Sequence, residues 1–134
     1  MRELNIPAKM ENLEIMIQFI LETIENTPNK DKLSGKLRLV SEEILVNIIN
    51  YAYPEKLGNV YINTELLNNT LVLKIIDEGI KFDPLERQNP DITIPLEERT
   101  IGGLGIFMVK NIMDEISYSY ENNKNILTMK KKLD

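Results

Sequence analysis

The sequence contains no cysteine and no histidine. Without cysteine there is no disulfide framework, thiol nucleophile or zinc cluster, and without histidine there is no Ser-His-Asp triad and no imidazole metal ligand. Any acid–base catalysis must therefore use the side chains of Asp, Glu, Lys or Tyr. A bound metal would be a hard ion held by oxygen atoms, and Mg²⁺ fits that description best.

Long hydrophobic runs and an excess of positive charge are also absent. No apolar run approaches the ~20 residues of a transmembrane helix, and the N-terminal segment lacks the apolar core of a signal peptide, so we expect a cytoplasmic protein without membrane contact. The formal net charge of −5 argues against direct nucleic-acid binding, which needs a basic surface. The 134 residues, 43% of them hydrophobic, suit one globular domain covering residues 1–134.

A row of polar residues runs beside an apolar stripe in the segment LVSEEILVNIINYAY, residues 39–53. At helical spacing the stripe begins just before this segment, and its members are Leu37, Val40, Ile44, Ile48 and Ala52. The polar row contains Glu43, Asn47, Asn50 and Tyr51, at the spacing of neighbours on a helix. Such a row can coordinate a ligand held between this helix and its packing partner. An ordinary amphipathic helix with a solvated polar edge has the same pattern, and this segment alone leaves both interpretations open.

Apolar periodicity and turn residues predict the remaining elements. The predicted helices cover residues 10–26, 31–53 and 103–114. The predicted strands cover residues 2–6, 60–66, 70–77, 115–121 and 125–133, with hairpin turns at 68–69 and 122–124. We expect a two-layer α/β (α+β) sandwich, with the helices on one face of a mixed, mostly antiparallel sheet.

The third predicted strand, TLVLKIID, ends on a carboxylate in phase with its buried face. Asp77 alternates with Leu71, Leu73 and Ile75. A buried carboxylate costs several kcal/mol unless something donates hydrogen bonds to it. Either the strand stops short and the side chain turns into a loop, or a ligand supplies the donor. Because Asp followed closely by Gly79 is a common turn pair, the first interpretation has equal weight.

A long segment without periodicity separates Gly79 from Gly102. It contains Pro84, Pro90 and Pro95. Loops beyond about 12–15 residues are uncommon in compact domains and are usually lids, binding loops or disorder. The segment closes on Gly102-Gly103-Leu104-Gly105, which opens a predicted helix whose free N–H groups would favour phosphate. A flexible turn into a buried helix is the alternative.

The last predicted strand carries a hydroxyl residue. Thr128 shares a strand face with Ile126. We therefore expect the Thr128 hydroxyl to point toward the layer between the sheet and the helices.

In this order the motifs resemble the Bergerat-fold nucleotide site of the GHKL superfamily, which includes gyrase, Hsp90, histidine kinases and mismatch-repair ATPases. The matching motifs are E-x-x-x-N-x-x-x-Y-A-Y from Glu43, D-x-G from Asp77 and G-G-x-G from Gly102. The resemblance covers nearly the whole chain. Its length and the segments SEEILVNIINYAYP, IIDEGIKFDP and IPLEERTIGGLGIFMVK are similar to the anti-sigma-factor serine/threonine kinases of the RsbW and SpoIIAB type.

The resemblance implies roles for two residues of the helix and two of the third strand. Asn47 would coordinate Mg²⁺ that bridges the ATP phosphates, and Glu43 would act as the general base. Asp77 would accept a hydrogen bond from the adenine amino group, and Gly79 would let the backbone pass beside the base.

It also implies contacts from the later segments. Gly102, Gly103 and Gly105, with Leu104 between them, would meet the phosphates. The remaining implied contacts are Asn50 near the phosphates, Thr128 near the adenine, and a basic residue of the lid. Lys81, Arg87 and Arg99 are the candidates for that basic contact, and Arg99 is preferred because it is nearest the glycines.

As function, the resemblance implies an ATP-dependent protein serine/threonine kinase that is also an anti-sigma factor. Its partners would be a STAS-type anti-sigma-factor antagonist, which it phosphorylates, a sigma factor, and a second copy in a homodimer. One alternative is a nucleotide-binding anti-sigma or adaptor module that holds ATP or ADP without transfer. Another is a simple ATPase with water as the nucleophile. Glu43 favours the kinase over the module, because a pure binder needs no base.

Overall fold

The computed structural model describes residues 1–86 and 103–134. Its elements are β1 (Arg2–Pro7), a 3-10 turn (Met10–Asn12), α1 (Leu13–Glu22), α2 (Lys30–Tyr51), β2 (Asn59–Leu67), β3 (Thr70–Asp77), a second 3-10 turn (Pro84–Glu86), α3 (Gly103–Ile112), β4 (Glu115–Glu121) and β5 (Lys124–Lys132). Every predicted element is present, and the three helices end two to four residues earlier than predicted. None of the helices in the described ranges is both long and apolar enough to cross a bilayer.

The five strands form one sheet in the order β1-β2-β3-β5-β4. All four pairings between these described strands are antiparallel, so the sheet is more uniform than the mixed sheet expected from the sequence. Strand β1 lies at the edge, where Pro7 can end it without costing a ladder hydrogen bond in the sheet interior. The predicted two-layer α+β architecture is confirmed.

Two pairs of asparagines close the hairpins that flank the centre of the sheet. Asn68 and Asn69 have φ values of 49° and 62°, and Asn122 and Asn123 have 53° and 62°. Asparagine tolerates this left-handed region better than other residues with a Cβ, and two such residues in a row make the tight turn that suits a twisted hairpin. These turns fix the registers of β2 with β3 and of β4 with β5. The pairing of Asp77 with Asn125 joins β3 to β5, two strands that no hairpin connects.

The hydrophobic core fills the space between the helices and the inner face of the sheet. Helix α2 is the central helix and packs against both α1 and α3. Its inner face contributes Leu37, Val40 and Ile44, and the sheet contributes Ile62, Leu73 and Ile75 among others, all buried. Burial of this apolar stripe leaves the polar row of α2 at the edge of the core, beside the end of β3.

Candidate functional site

A cavity of about 410 Å³ opens between the C-terminal half of α2, the inner face of the sheet and the segment that follows β3. Its described lining residues are Ile44, Asn47, Ile48, Tyr51, Ala52, Ile75, Asp77, Ile80, Lys81, Phe82, Pro84, Tyr118, Asn125 and Leu127. Apolar walls with a few polar groups, and a volume in this range, are typical of small-molecule sites.

The α2 wall brings together two of the predicted site residues. The Asn47 Nδ2 donates a hydrogen bond of 3.1 Å to the Glu43 Oε1, one helical turn away. Because the amide nitrogen is engaged in this way, the Asn47 Oδ1 is left as an acceptor. Asn50 is exposed and is absent from the described lining of the cavity, whereas Tyr51 lines it.

The first turn of α3 meets the same pair. A Cβ built on Gly105 would overlap the Glu43 carboxylate, so only glycine allows this close approach without moving Glu43. Gly103 and Leu104 are the first two residues of the helix. The N-terminal end of α3, where backbone N–H groups lack intrahelical partners, therefore lies beside the Glu43–Asn47 pair. The predicted phosphate contacts Arg99 and Gly102 lie outside the described residues, as does Arg87.

Asp77 lies on the inner wall of the cavity and is only 6% exposed, as its position in the alternation predicts. Its Oδ1 accepts two hydrogen bonds of 2.9 Å, from the Asn125 Nδ2 and from the Gly79 backbone N–H. Burial raises the pKa of the Asp77 carboxyl, and the two donors oppose that rise. Among the described residues none donates to Oδ2. The strand thus carries Asp77 inward, and the protein supplies donors to one oxygen only.

The predicted orientation of Thr128 is wrong. Its neighbours Leu127 and Met129 are the buried residues of β5, and Thr128 pairs with Lys74 and Ser117 on the opposite face of the sheet. Since side chains alternate along a strand, Thr128 points away from the helix layer. The inward polar residue of β5 is Asn125, which the phase of Leu127 and Met129 could have revealed.

The sequence profile of the Histidine kinase-like ATPase domain matches residues 6–131. The chain belongs to this family. Serine-protein kinase RsbW of Bacillus thuringiensis (strain Al Hakam) is 30% identical over 134 residues, with 96% of this chain and 82% of that protein covered. A Bacillus anthracis protein of the same name is 28% identical with the same coverage. A solved structure, Acinetobacter baumannii histidine kinase AdeS, has the same fold, with a TM-score of 0.53 and 19% identity over 100% of this chain and 68% of that chain.

In this histidine kinase-like ATPase domain, sequence reasoning missed a role for Tyr53, the last residue of the helix motif. Its hydroxyl donates to the Asn59 carbonyl and accepts from the Glu78 N–H, both at 2.7 Å. Partial burial raises the pKa of the Tyr53 hydroxyl. The start of β2 and the residue after Asp77 are therefore held by one side chain. The tyrosine that ends the Y-A-Y motif is the feature of the sequence that could have indicated this role.

The donor set of the ATPase domain fits a magnesium ion that reaches the protein with its nucleotide. Within the described ranges, no group of three or more Asp or Glu side chains forms a metal cage. Magnesium usually keeps several waters and takes one or two protein oxygens together with phosphate oxygens. The Asn47 Oδ1 meets that requirement, and Mg²⁺ when bound would neutralise charge on the phosphates.

Gly79 of the ATPase domain makes a backbone approach that a side chain would block. A Cβ at this position would overlap the backbone carbonyl of Ala52, to which the Ile80 N–H donates at 3.0 Å. We expect Gly79→Ala to lower the free energy of unfolding by about 1–3 kcal/mol, because backbone rather than a flexible side chain must move. Urea unfolding followed by circular dichroism measures this change.

Gly35→Ala is the matched control for that experiment. Gly35 lies inside α2, and a Cβ there would meet nothing within 4 Å. Alanine at this helical position should raise stability by roughly 0.5–1 kcal/mol. A Gly79→Ala protein as stable as the wild type would show that the close approach of residue 79 to the Ala52 carbonyl does not require glycine.

Proposed function

We propose that this ATPase domain is an ATP-dependent protein serine/threonine kinase. The observation that carries the proposal is the Glu43 carboxylate, hydrogen-bonded to Asn47 and packed against Gly105 at the start of α3. This carboxylate contacts both a candidate metal ligand and a helix N-terminus. At that position it could take up the proton of a hydroxyl group that attacks a phosphate. A site that only binds nucleotide has no use for a base at this position.

The nucleotide would lie along the cavity with its base at the sheet and its phosphates at α2 and α3. Asp77 offers its Oδ2 to an amino group of the base, between walls that include Ile48 and Ile75. The Asn47 Oδ1 would hold Mg²⁺ of the phosphates, and the N–H groups of the first turn of α3 would face phosphate oxygens. The substrates would therefore be ATP as donor and ADP as product, with Mg²⁺ as cofactor.

Transfer would proceed in one displacement at the γ-phosphorus. The oxygen of a serine or threonine hydroxyl attacks, the bond from the γ-phosphorus to the bridging oxygen of ADP breaks, and the hydroxyl proton passes to the Glu43 carboxylate. Glu43 contributes general-base catalysis, while the other residues position the reactants and stabilise charge. The hydrogen bond from Asn47 holds the base in place before the substrate arrives.

The acceptor would be a STAS-type anti-sigma-factor antagonist, and the unoccupied kinase would bind and inhibit a sigma factor in the cytoplasm. The Bacillus relatives are named Serine-protein kinase RsbW, which supports a serine acceptor. Phosphorylation of the antagonist would free the kinase for the sigma factor. We also propose that two copies of the chain form a homodimer through the outer face of the sheet.

The decisive experiment incubates the protein with γ-labelled ATP, Mg²⁺ and a purified STAS-type anti-sigma-factor antagonist from the same organism. We expect label on a serine or threonine of the partner, and none when that residue is replaced by alanine. Free labelled phosphate without a labelled partner would indicate a simple ATPase. Tight nucleotide binding with neither product would indicate a nucleotide-binding adaptor module.

A further inference from the structure

We propose that Asn125 is a positioning residue that sets the base selectivity of this site, by presenting Asp77 to the ligand as a hydrogen-bond acceptor. This inference rests on the nucleotide binding proposed above. It assigns a role in substrate choice to a residue that need not touch the nucleotide. The favoured ligand class is purine nucleotides with an amino group at position 6 over those with a carbonyl there.

Asn125 is only 6% exposed, and both the oxygen and the nitrogen of its side-chain amide are hydrogen-bonded. Its Oδ1 accepts from the Phe82 backbone N–H at 3.0 Å and from the Tyr118 hydroxyl at 2.6 Å. Its Nδ2 donates to the Asp77 Oδ1 and to the Ile80 carbonyl, both at 2.9 Å. The amide thus uses both its oxygen and its nitrogen inside the protein.

The neighbouring backbone decides the orientation of the Asn125 amide. The Phe82 N–H can only donate and the Ile80 carbonyl can only accept, so the amide oxygen must face the first and the nitrogen the second. Reversing the amide would break both bonds and would set donor against donor and acceptor against acceptor. The nitrogen is therefore fixed on the side of Asp77, as a donor.

The orientation of the Asn125 amide determines how Asp77 can bind a ligand. Its Oδ1 is held by two donors, Asn125 and the Gly79 N–H, which favours the ionised carboxylate and fixes its plane. An ionised carboxylate can only accept, so the remaining Oδ2 attracts an amino group and repels a carbonyl oxygen. Adenine has an amino group at position 6, whereas hypoxanthine has a carbonyl there. Asn125 thereby controls which purine Asp77 accepts.

The test compares the dissociation constants of ADP and inosine diphosphate, each with Mg²⁺, by titration calorimetry. For the wild type we expect ADP to bind about tenfold to a hundredfold more tightly, the range for a hydrogen bond to a charged group. In Asn125→Asp the new carboxylate faces Asp77 and the pair must share a proton, so the ratio should fall toward one. In Asn125→Ala, which also removes the donor, the ratio should fall as well.

The ratio of the two dissociation constants distinguishes a positioning role of Asn125 from a role in stability alone. Partial unfolding reduces the active fraction equally for both nucleotides, so a structural role alone weakens both and preserves the ratio. That result in the two Asn125 variants would overturn the inference, as would a wild type that binds both nucleotides equally. Asn63→Asp, the same change on the outer face of β2, should keep the wild-type ratio. A wild type that binds neither nucleotide would refute the proposed function itself.

Discussion

Replacing Glu43 by glutamine is expected to lower phosphoryl transfer by a factor of about 10² to 10⁴, while the affinity for ATP stays nearly unchanged. Glutamine has the shape of glutamate, and its Oε1 can still accept the hydrogen bond from Asn47. Only the capacity to take up the proton of the attacking hydroxyl is lost. Single-turnover transfer from labelled ATP measures the rate, and calorimetry measures the binding.

Glu42→Gln provides the control at the adjacent position. Glu42 lies 3.7 Å from the Arg38 guanidinium and is absent from the described lining of the cavity. Its loss removes the same charge from α2 but should leave the transfer rate within about twofold, because a surface ion pair contributes little. If Glu43→Gln transferred phosphate as fast as Glu42→Gln, Glu43 would not be the general base.

The second large effect is expected at Asp77, where asparagine should weaken ADP and ATP binding by about tenfold to a hundredfold. In Asp77→Asn the amide oxygen can still accept from Asn125 and the Gly79 N–H, which forces the new amide nitrogen into the position of Oδ2. A donor there faces the amino group of adenine. Thermal-shift and calorimetric titrations with Mg²⁺-nucleotide measure the loss, and unchanged affinity would show that Asp77 does not contact the base.

The same substitution should raise the stability of the nucleotide-free protein at neutral pH. Burial raises the pKa of the Asp77 carboxyl in the folded state above its unfolded value. A group with a raised folded pKa stabilises the fold fully below its unfolded pKa, and that contribution is lost as the pH rises through the folded pKa. The advantage of Asp77→Asn over the wild type should therefore shrink as the pH falls through the folded pKa toward the unfolded one. Urea unfolding at a series of pH values tests this, and a constant advantage would contradict the buried-charge explanation.

The sequence predicted those features that depend on local pattern. Alternation in β3 places Asp77 on the buried face, and Asn68-Asn69 predicts the hairpin turn with positive φ values of 49° and 62°. Helical spacing predicts that Glu43 and Asn47 are neighbours. In each case the deciding contacts are within one element or between two that adjoin in the chain, so periodicity and turn chemistry are sufficient.

The features that were missed depend on contacts between distant segments. Asn125 reaches Asp77 only because β5 lies beside β3. Thr128 faces outward, against the prediction, because the buried face of β5 contains Leu127 and not Ile126. The Tyr53 hydroxyl bridges two backbone groups, at Asn59 and Glu78, that no local pattern connects. Tertiary packing decides such contacts.

Helix α2 fixes the distance between the two ends of the site, because its C-terminus is joined to the segment after β3. The Ile80 N–H donates a hydrogen bond to the Ala52 carbonyl, so the end of the cavity beside Asp77 is anchored to the C-terminus of α2. The distance from Ala52 to Asn47 and Glu43 is set by the helical rise of about 1.5 Å per residue. One inserted residue would also turn the Glu43 carboxylate by roughly 100° around the helix axis. The spacing from Glu43 to Ala52 would thus match the length of the proposed nucleotide, and it could change only if both ends of the site changed together.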